Sequence, residues 1–271
     1  MEGSVKRVLF VNSEMSPYLK DSEIAALNLS MAQKIQEKKV EIRSFMPRYG
    51  LVNERKNQLH EVIRLSGMNI IINDVDRPLI IKVASLPSAR MQVYFIDNED
   101  YFRRKALYCD EKGEFFKDNA ERAIFFARGV LETVKKLRWS PDIIHCSGWI
   151  SHILPLYLKK CYKDDPIFEG SKVVLSLCGD VHDESFCSNM AEMVKFQGVA
   201  DEDVKQIENP TGINVAKLAI DYSDGVIVRS EDVPAELLAY AQEKLPVMAY
   251  DPDSLTSGTY VDRYKNFYDN L

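Results

Sequence analysis

The chain has 271 residues, of which 46% are hydrophobic and 28% are charged, and its formal net charge is −6. This composition is typical of a globular protein with a substantial core. No apolar run approaches the roughly 20 residues of a membrane helix, and the first residues lack the architecture of a signal peptide. The five cysteines form no close pair, which favours reduced thiols. We therefore expect a cytoplasmic protein without a membrane or nucleic-acid partner, because its basic residues are scattered among acidic ones.

The first fifty residues predict a β–α–β unit. Residues 7–11 form the short β-branched and aromatic run of a buried strand. Apolar residues then recur at helical spacing from Ile24 to Lys38. Residues 40–46, ended by Pro47, predict a second strand. This order favours parallel strands joined by a right-handed crossover.

Short β-rich runs separated by turn residues predict an antiparallel insertion at about residues 59–96. The predicted strands are residues 62–65, 68–72, 79–83 and 91–96, and the predicted turns are residues 73–74 and 87–88.

The alternation of strands and helices resumes at residue 118. The predicted helices are residues 118–137, 153–160, 213–221 and 233–243, and the predicted strands are residues 143–145, 173–177 and 225–228. Either Asp118 or Asn119 can cap the first of these helices. Residues 190–208 are polar and acidic, and we expect them to be mobile, with a weak helical tendency and a solvated surface at 195–203. The sequence thus predicts an α/β fold, a three-layer Rossmann-like doubly wound parallel sheet, in residues 1–250. Residues 251–271 show no core periodicity and are expected to be a tail.

In such sheets the ligand binds beyond the carboxyl ends of the strands, where the strand order reverses. Six motifs lie in order between residues 5 and 232, several of them at predicted strand ends. They are SEMSPYLK at 13–20, MPRYG at 46–50, FID, FR and LYCD within 95–110, DNAER at 118–122, PDIIH at 141–145, and INVAK with YSD within 213–224. Together they resemble the amino-terminal (starch synthase catalytic) domain of the bacterial glycogen synthase and plant starch synthase family.

The resemblance implies one half of a two-Rossmann-domain (GT-B) glycosyltransferase, with the second domain absent from this chain. The implied activity is elongation of an α-1,4-glucan from ADP-glucose or UDP-glucose, with no other cofactor. In that family the second domain mainly holds the donor and the first domain holds the growing glucan. Carried over by position, the substrate-binding residues would be Glu14, Tyr18, Lys20, Tyr108, Asn119, Trp149 and Asn214. Several have a purely structural alternative, such as a core position for Trp149 and helix capping for Asn119.

The sequence departs from the family pattern at three places. The family's K-T-G-G-L loop reads KDSEI at 20–24, so both glycines that let a backbone approach phosphate are missing. Asp21 and Glu23 would also repel a diphosphate. The family's two histidines near the reaction centre are replaced by Ile150 and Cys178, so the catalytic residues are unknown.

Cys178, Asp180, His182, Asp183 and Cys187 form a cluster of potential ligands. Its C-x3-H-x4-C spacing is not a familiar zinc pattern, so we expect no metal. A nucleophilic Cys178–His182 pair lacks an identifiable orienting acid.

Two functions remain open. One is an incomplete glucosyltransferase that needs a second domain. The other is a non-catalytic glucan-binding or regulatory module, in which a protein partner or a second copy could cover the cleft face. A different nucleotide-binding protein on the same fold is less favoured, because no GxGxxG follows the first strand.

Overall fold

The computed structural model describes residues 4–20, 22–86, 89–181 and 184–271. The predicted turn at 87–88 lies outside the described residues, as do Asp21 and two of the potential metal ligands, His182 and Asp183.

A single large sheet forms the centre of the fold. Within the described residues its strands are β1 Arg7–Asn12, β2 Glu41–Pro47, β3 His60–Glu61, β4 Met68–Ile72, β5 Val75–Leu86, β6 Met91–Asp97, β7 Ile143–Ser147, β8 Lys172–Leu177, β9 Gly225–Val228 and β10 Val247–Met248. The strands β10, β9, β8, β7, β1, β2 and β6 are parallel and adjacent in that order. The order reverses at β1, which has β2 on one side and β7 on the other. The prediction of a doubly wound sheet is confirmed, and its switch point lies between β1 and β7.

Helices cover both faces of this sheet. Those in the described residues are α1 Glu23–Glu37, α2 Glu99–Phe102, α3 Asn119–Leu137, α4 Leu154–Cys161, α5 Met190–Val194, α6 Asp201–Val204, α7 Gly212–Asp221, α8 Ala235–Lys244, α9 Pro252–Ser257 and α10 Tyr260–Asp269. One layer contains α1 in contact with α10, and the other contains α3, α4, α7 and α8 in successive contact. Right-handed crossovers on either side of β1 place the two layers on opposite faces. No helix of the described residues is long and apolar enough to cross a bilayer.

The antiparallel insertion is present, but one of its predicted strands is wrong. Strand β5 pairs with β6, β4 and β3 in antiparallel register. The predicted strand at 62–65 is a turn, in which the Leu65 amide donates to the Val62 carbonyl at 2.9 Å. The turn at Asn73 and Asp74 is confirmed, since both residues have the positive φ angles (49° and 58°) that suit a two-residue hairpin.

The predicted cap of α3 is wrong as well. Asp118 stands at the N-cap position but makes no side-chain capping bond, because its carboxylate accepts from Arg104 Nη1 at 3.0 Å instead. Asn119 is fully buried: its amide donates to the Tyr108 carbonyl at 2.9 Å and accepts from Arg122 at 2.6 Å. Both residues therefore anchor the segment before the helix.

Two segments that are polar in sequence nevertheless contribute buried side chains to the core. In the tail, α10 buries Tyr260, Tyr264 and Tyr268 at a four-residue spacing. Residues 190–208 form α5 and α6, in line with their helical tendency, and bury apolar side chains such as Val194, whereas all of residues 195–203 except Asp203 are exposed or half-exposed. The expectation for the tail was wrong because the apolar face of α10 consists of tyrosines, whose hydroxyls mask the helical period.

The tail is tied to the centre of the sheet through His145, which is buried and hydrogen-bonded. The Tyr268 hydroxyl lies 2.5 Å from His145 Nδ1, and the Ser176 hydroxyl lies 2.5 Å from His145 Nε2. Burial, with a smaller contribution from the charge of Arg229, holds the pKa of His145 well below its usual 6.5. The imidazole is therefore neutral in the folded protein.

Candidate functional site

The loops that follow β1 and β7 meet at the switch point of the sheet. The Ser13 amide donates to the Ser147 carbonyl at 2.8 Å, and Gly148 follows with a φ of +89°. A Cβ atom at Gly148 would lie 2.0 Å from Ser13 Oγ and 3.2 Å from Asp180 Oδ2. Glycine is therefore required here both for its positive φ and for space. The Trp149 amide donates to Asp180 Oδ2 at 3.2 Å, which brings the loop after β8 to the same point.

A first cavity, here called the β1 cavity, has a volume of about 430 Å³. Its lining consists of Glu14, Pro17, Tyr18, Leu19, Lys20, Ser22, Leu51, Asn53, Lys56, Asn57 and Leu107. The structure thus brings together three of the residues predicted to bind substrate. Glu14 is 9% exposed and Tyr18 5% exposed, yet Glu14 Oε2 and the Tyr18 hydroxyl have no hydrogen-bond partner among the described residues. Buried polar atoms left unpaired are costly, so they point to a group that completes them.

A second cavity, here called the β9 cavity, has a volume of about 560 Å³. Its lining consists of Glu23, Ile24, Leu27, Tyr108, Cys178, Gly179, Asp180, Arg229, Ser230, Glu231, Asp232, Tyr250 and Leu255. Ser22 and Leu107 line the first cavity while their chain neighbours Glu23 and Tyr108 line the second. The two cavities therefore adjoin at the carboxyl edge of the sheet, and we call them together the cleft.

Glu14 is the most perturbed carboxyl group of the cleft. Burial raises its pKa, the nearby Ser22 hydroxyl lowers it, and the charge of Asp180 raises it further. Its main-chain carbonyl accepts from Asn28 Nδ2 at 2.8 Å, which fixes the loop after β1 against α1. The site therefore favours a protonated Glu14 over a wider pH range than a solvated glutamate would show.

Sequence reasoning missed Arg229, which follows β9 and is only 6% exposed. Its Nη1 donates to Asn28 Oδ1 at 2.5 Å and to Ser147 Oγ at 3.2 Å. The guanidinium thus joins the loop after β9 to α1 and to the end of β7. The only available sequence signal was its position directly after a strand, because its partners come from distant parts of the chain.

Neither replacement of a family histidine supplies a comparable polar group. Ile150 is fully buried. Cys178 lies with its Sγ 3.9 Å from Ser147 Oγ, and burial raises the pKa of its thiol to about 12 although Arg229 opposes the shift. The thiol is therefore neutral and poorly nucleophilic near pH 7. Among the described residues, no group of three or more histidine, cysteine or acidic side chains is placed to hold a metal ion.

Three residues predicted to bind substrate contribute little or nothing to the cleft surface. Trp149 is 5% exposed and packs with Tyr108 and Phe186, at ring-centroid distances of 6.3 and 6.0 Å. It offers little area for stacking on a sugar, and Asn119 is buried as described above. Asn214 lies in the first turn of α7, where its amide donates to the Asn209 carbonyl at 2.8 Å. Tyr108 is half-buried and forms part of the wall of the β9 cavity.

Comparison with known proteins identifies the family. The sequence model of the protein family described as the starch synthase catalytic domain matches residues 7–250. The chain belongs to the glycogen/starch synthase family. It is 35% identical over 268 residues to the glycogen synthase of Chlorobium limicola, covering 98% of this chain and 52% of that one. It is 43% identical over 172 residues to the glycogen synthase of Chlorobium luteolum, covering 63% of this chain and 35% of that one.

A solved structure shows the same fold. The catalytic domain of starch synthase IV from Arabidopsis thaliana, bound to ADP and acarbose, superposes with a TM-score of 0.69 at 18% identity. The match covers 93% of this chain and 53% of that one. The chain thus spans about half the length, or less, of the relatives it matches, and the prediction that it forms one half of a GT-B fold is confirmed.

Proposed function

We propose that this chain is the glucan-holding domain of a glucosyltransferase that elongates an α-1,4-glucan, and that the glucan lies in the cleft. The observation that carries this proposal is the pair of adjoining cavities at the switch point. Glu14 and Tyr18, whose Oε2 and hydroxyl oxygen have no partner among the described residues, line the β1 cavity at the carboxyl edge of the sheet, where a ligand of this fold binds.

The side chains of the cleft suit a neutral, hydroxyl-rich ligand. Four carboxylates line the β9 cavity together with one arginine, namely Glu23, Asp180, Glu231 and Asp232 with Arg229. This excess of negative charge opposes a phosphate or another anion in the β9 cavity, while Lys20 and Lys56 line the β1 cavity. Carboxylates, amides and tyrosine hydroxyls are instead good partners for sugar hydroxyls. The combined cavities have room for several linked hexose units.

The start of α1 argues that the donor is held elsewhere. The Ser22 hydroxyl accepts from the Ala25 amide at 3.1 Å, and Glu23 places a carboxylate in the first turn. These two side chains already satisfy the helix terminus that would otherwise attract a diphosphate. We therefore assign ADP-glucose or UDP-glucose to the second domain of the fold, with this domain contributing only the acceptor side.

The chain alone should not transfer glucose. Transfer requires hydrogen-bond donors held against the charge that develops in the transition state. Ile150 cannot supply one, and Cys178 supplies at best a weakly donating thiol. These replacements also favour a second candidate function, a non-catalytic glucan-binding or regulatory module, in which a partner protein or a second copy of the chain could cover the cleft face.

Titration calorimetry with maltoheptaose and with ADP-glucose tests the proposal. We expect saturable maltoheptaose binding that is weakened in Lys20→Ala and unchanged in Lys6→Ala. The control lysine precedes the opposite, amino end of β1 and is exposed. No binding at millimolar maltoheptaose would contradict glucan binding.

Incorporation of labelled glucose from ADP-glucose and UDP-glucose into glycogen separates the two candidates. We expect none from the purified chain. Transfer that appears when a carboxyl-terminal synthase domain is added supports the transferase, whereas its continued absence alongside glucan binding supports the non-catalytic module.

A further inference from the structure

We propose that Glu14 and Asp180 form an acid–base pair that hydrolyses an α-glucosidic bond of a glucan lying across the cleft. This inference rests on the glucan binding proposed above. It adds a reaction of a different class, because water and not a second sugar receives the glucosyl group.

The two carboxyl groups follow separate strands and lie close enough for the charge of Asp180 to raise the pKa of Glu14. Glu14 follows β1 and Asp180 follows β8, with the end of β7 between them. Gly148 lies beside both loops, since a Cβ atom there would be 2.0 Å from the Oγ of Ser13, the residue before Glu14, and 3.2 Å from Asp180 Oδ2. The Trp149 amide holds Asp180 in place through its bond to Oδ2. Both carboxyl groups thus lie in loops directly after parallel strands.

The charges of both carboxyl groups affect the pKa values of two neighbouring side chains. Burial is the main cause that raises the pKa of Tyr108 and of Cys178, and the charges of Glu14 and Asp180 raise each of them further. Since Tyr108 and Cys178 line the β9 cavity, both carboxyl groups act on this region of the cleft. Glu14 itself lines the β1 cavity and Asp180 the β9 cavity. A chain of sugars that passes from one cavity to the other therefore passes both groups.

The environments of the two groups differ in the way that an acid and a base require. Glu14 is 9% exposed, and its Oε2 has no partner among the described residues. Burial and the charge of Asp180 raise the pKa of Glu14, although the Ser22 hydroxyl lowers it, and a raised pKa favours the protonated form that a general acid needs. Asp180 is half-exposed, so water can reach it, and its Oδ2 accepts the main-chain N–H of Trp149. The unpaired hydroxyl of Tyr18, in the same cavity as Glu14, is an independent sign that a polar ligand completes this surface.

The step needs only water as co-reactant. The oxygen of water bonds to the anomeric carbon, and the bond between that carbon and the glycosidic oxygen breaks. Glu14 gives its proton to the leaving oxygen, and Asp180 takes a proton from the attacking water. Transfer of that proton back to Glu14 through solvent restores the starting state. Two carboxyl groups on opposite sides of the scissile bond are the usual arrangement for this reaction.

Release of reducing ends from maltoheptaose tests the proposal. We expect slow release by the intact chain, reduced at least about 100-fold in both Glu14→Gln and Asp180→Asn, since a general acid or base contributes about that much. Both substitutions keep the size of the side chain. Glu61→Gln and Asp262→Asn are the controls, because both side chains are exposed and line neither cavity. All five proteins are purified identically, and their melting temperatures are compared.

Each outcome separates this inference from the proposed function. No release by the intact chain, or equal release by the pair variants, overturns the hydrolytic pair even if calorimetry shows that maltoheptaose binds. If calorimetry shows no binding, the proposed glucan site itself fails. Release that is lost in both pair variants and retained in both controls supports the inference.

Discussion

The buried His145 makes the stability of the fold dependent on pH, in a direction that the structure sets. The imidazole is held between the Tyr268 and Ser176 hydroxyls, and burial keeps its pKa well below 6.5 in the folded protein. In the unfolded chain it takes up a proton near pH 6.5. Below that pH the unfolded state therefore binds a proton that the folded state does not, and stability falls as the pH falls.

The size of the effect follows from the pH interval. The contribution of this one group is about 1.4 kcal/mol for each pH unit below the unfolded pKa, as long as the folded imidazole remains neutral. Between pH 7.5 and pH 5 this amounts to about 2 kcal/mol, because only the part below pH 6.5 counts. For a domain of this size the melting temperature would drop by about 4–8 °C from this cause.

Urea unfolding at the two pH values measures the effect in the intact chain and in His145→Gln. We expect the variant to be less stable at pH 7.5, and the difference from the intact chain to shrink by about 2 kcal/mol at pH 5. His60→Gln is the matched control, since His60 is exposed. Equal losses of stability in the intact chain and in His145→Gln would refute the reasoning.

Three further predictions follow from the site and its supports. Gly148→Ala should lose more stability to urea unfolding than Gly170→Ala. Both glycines have a positive φ, and that backbone strain alone costs about 1–3 kcal/mol, but only a Cβ atom at Gly148 would also clash with neighbouring atoms. Equal losses of stability in the two variants would contradict the packing described. In native protein, Cys178 should react with a thiol reagent more slowly than the half-exposed Cys109, because it is buried with a pKa near 12; mass spectrometry of labelled peptides gives the order. Asn214→Ala should lower the melting temperature but leave the dissociation constant for maltoheptaose unchanged in calorimetry, because its side-chain amide donates to the Asn209 carbonyl and accepts from Gln206 Nε2 at the start of α7.

The order of elements was predictable because each strand carries its own local signal. The runs at β1, β4 and β9 are short, apolar and β-branched, and the predicted limits differ from the observed ones by at most one residue. The motifs at the strand ends also placed Glu14, Tyr18 and Lys20 together. These three are close in sequence, so their proximity did not depend on distant contacts.

What could not be predicted depends on distant parts of the chain. Arg229 bonds to Asn28, which is 201 residues away in sequence, and no local sequence pattern predicts that contact. The burial of α10 was not predicted because its buried face consists of tyrosines. One of them, Tyr268, bonds to His145, which is 123 residues away in sequence. Trp149 could stack on a sugar or pack in the core, and the aromatic side chains around it favour the core.

The central claim is that the cleft of this chain holds a neutral glucan and not a nucleotide sugar. Titration calorimetry of the intact chain with maltoheptaose and with ADP-glucose, each to millimolar concentration, tests it most directly. We predict saturable heat with maltoheptaose and none with ADP-glucose. Saturable binding of ADP-glucose without any binding of maltoheptaose would contradict the account.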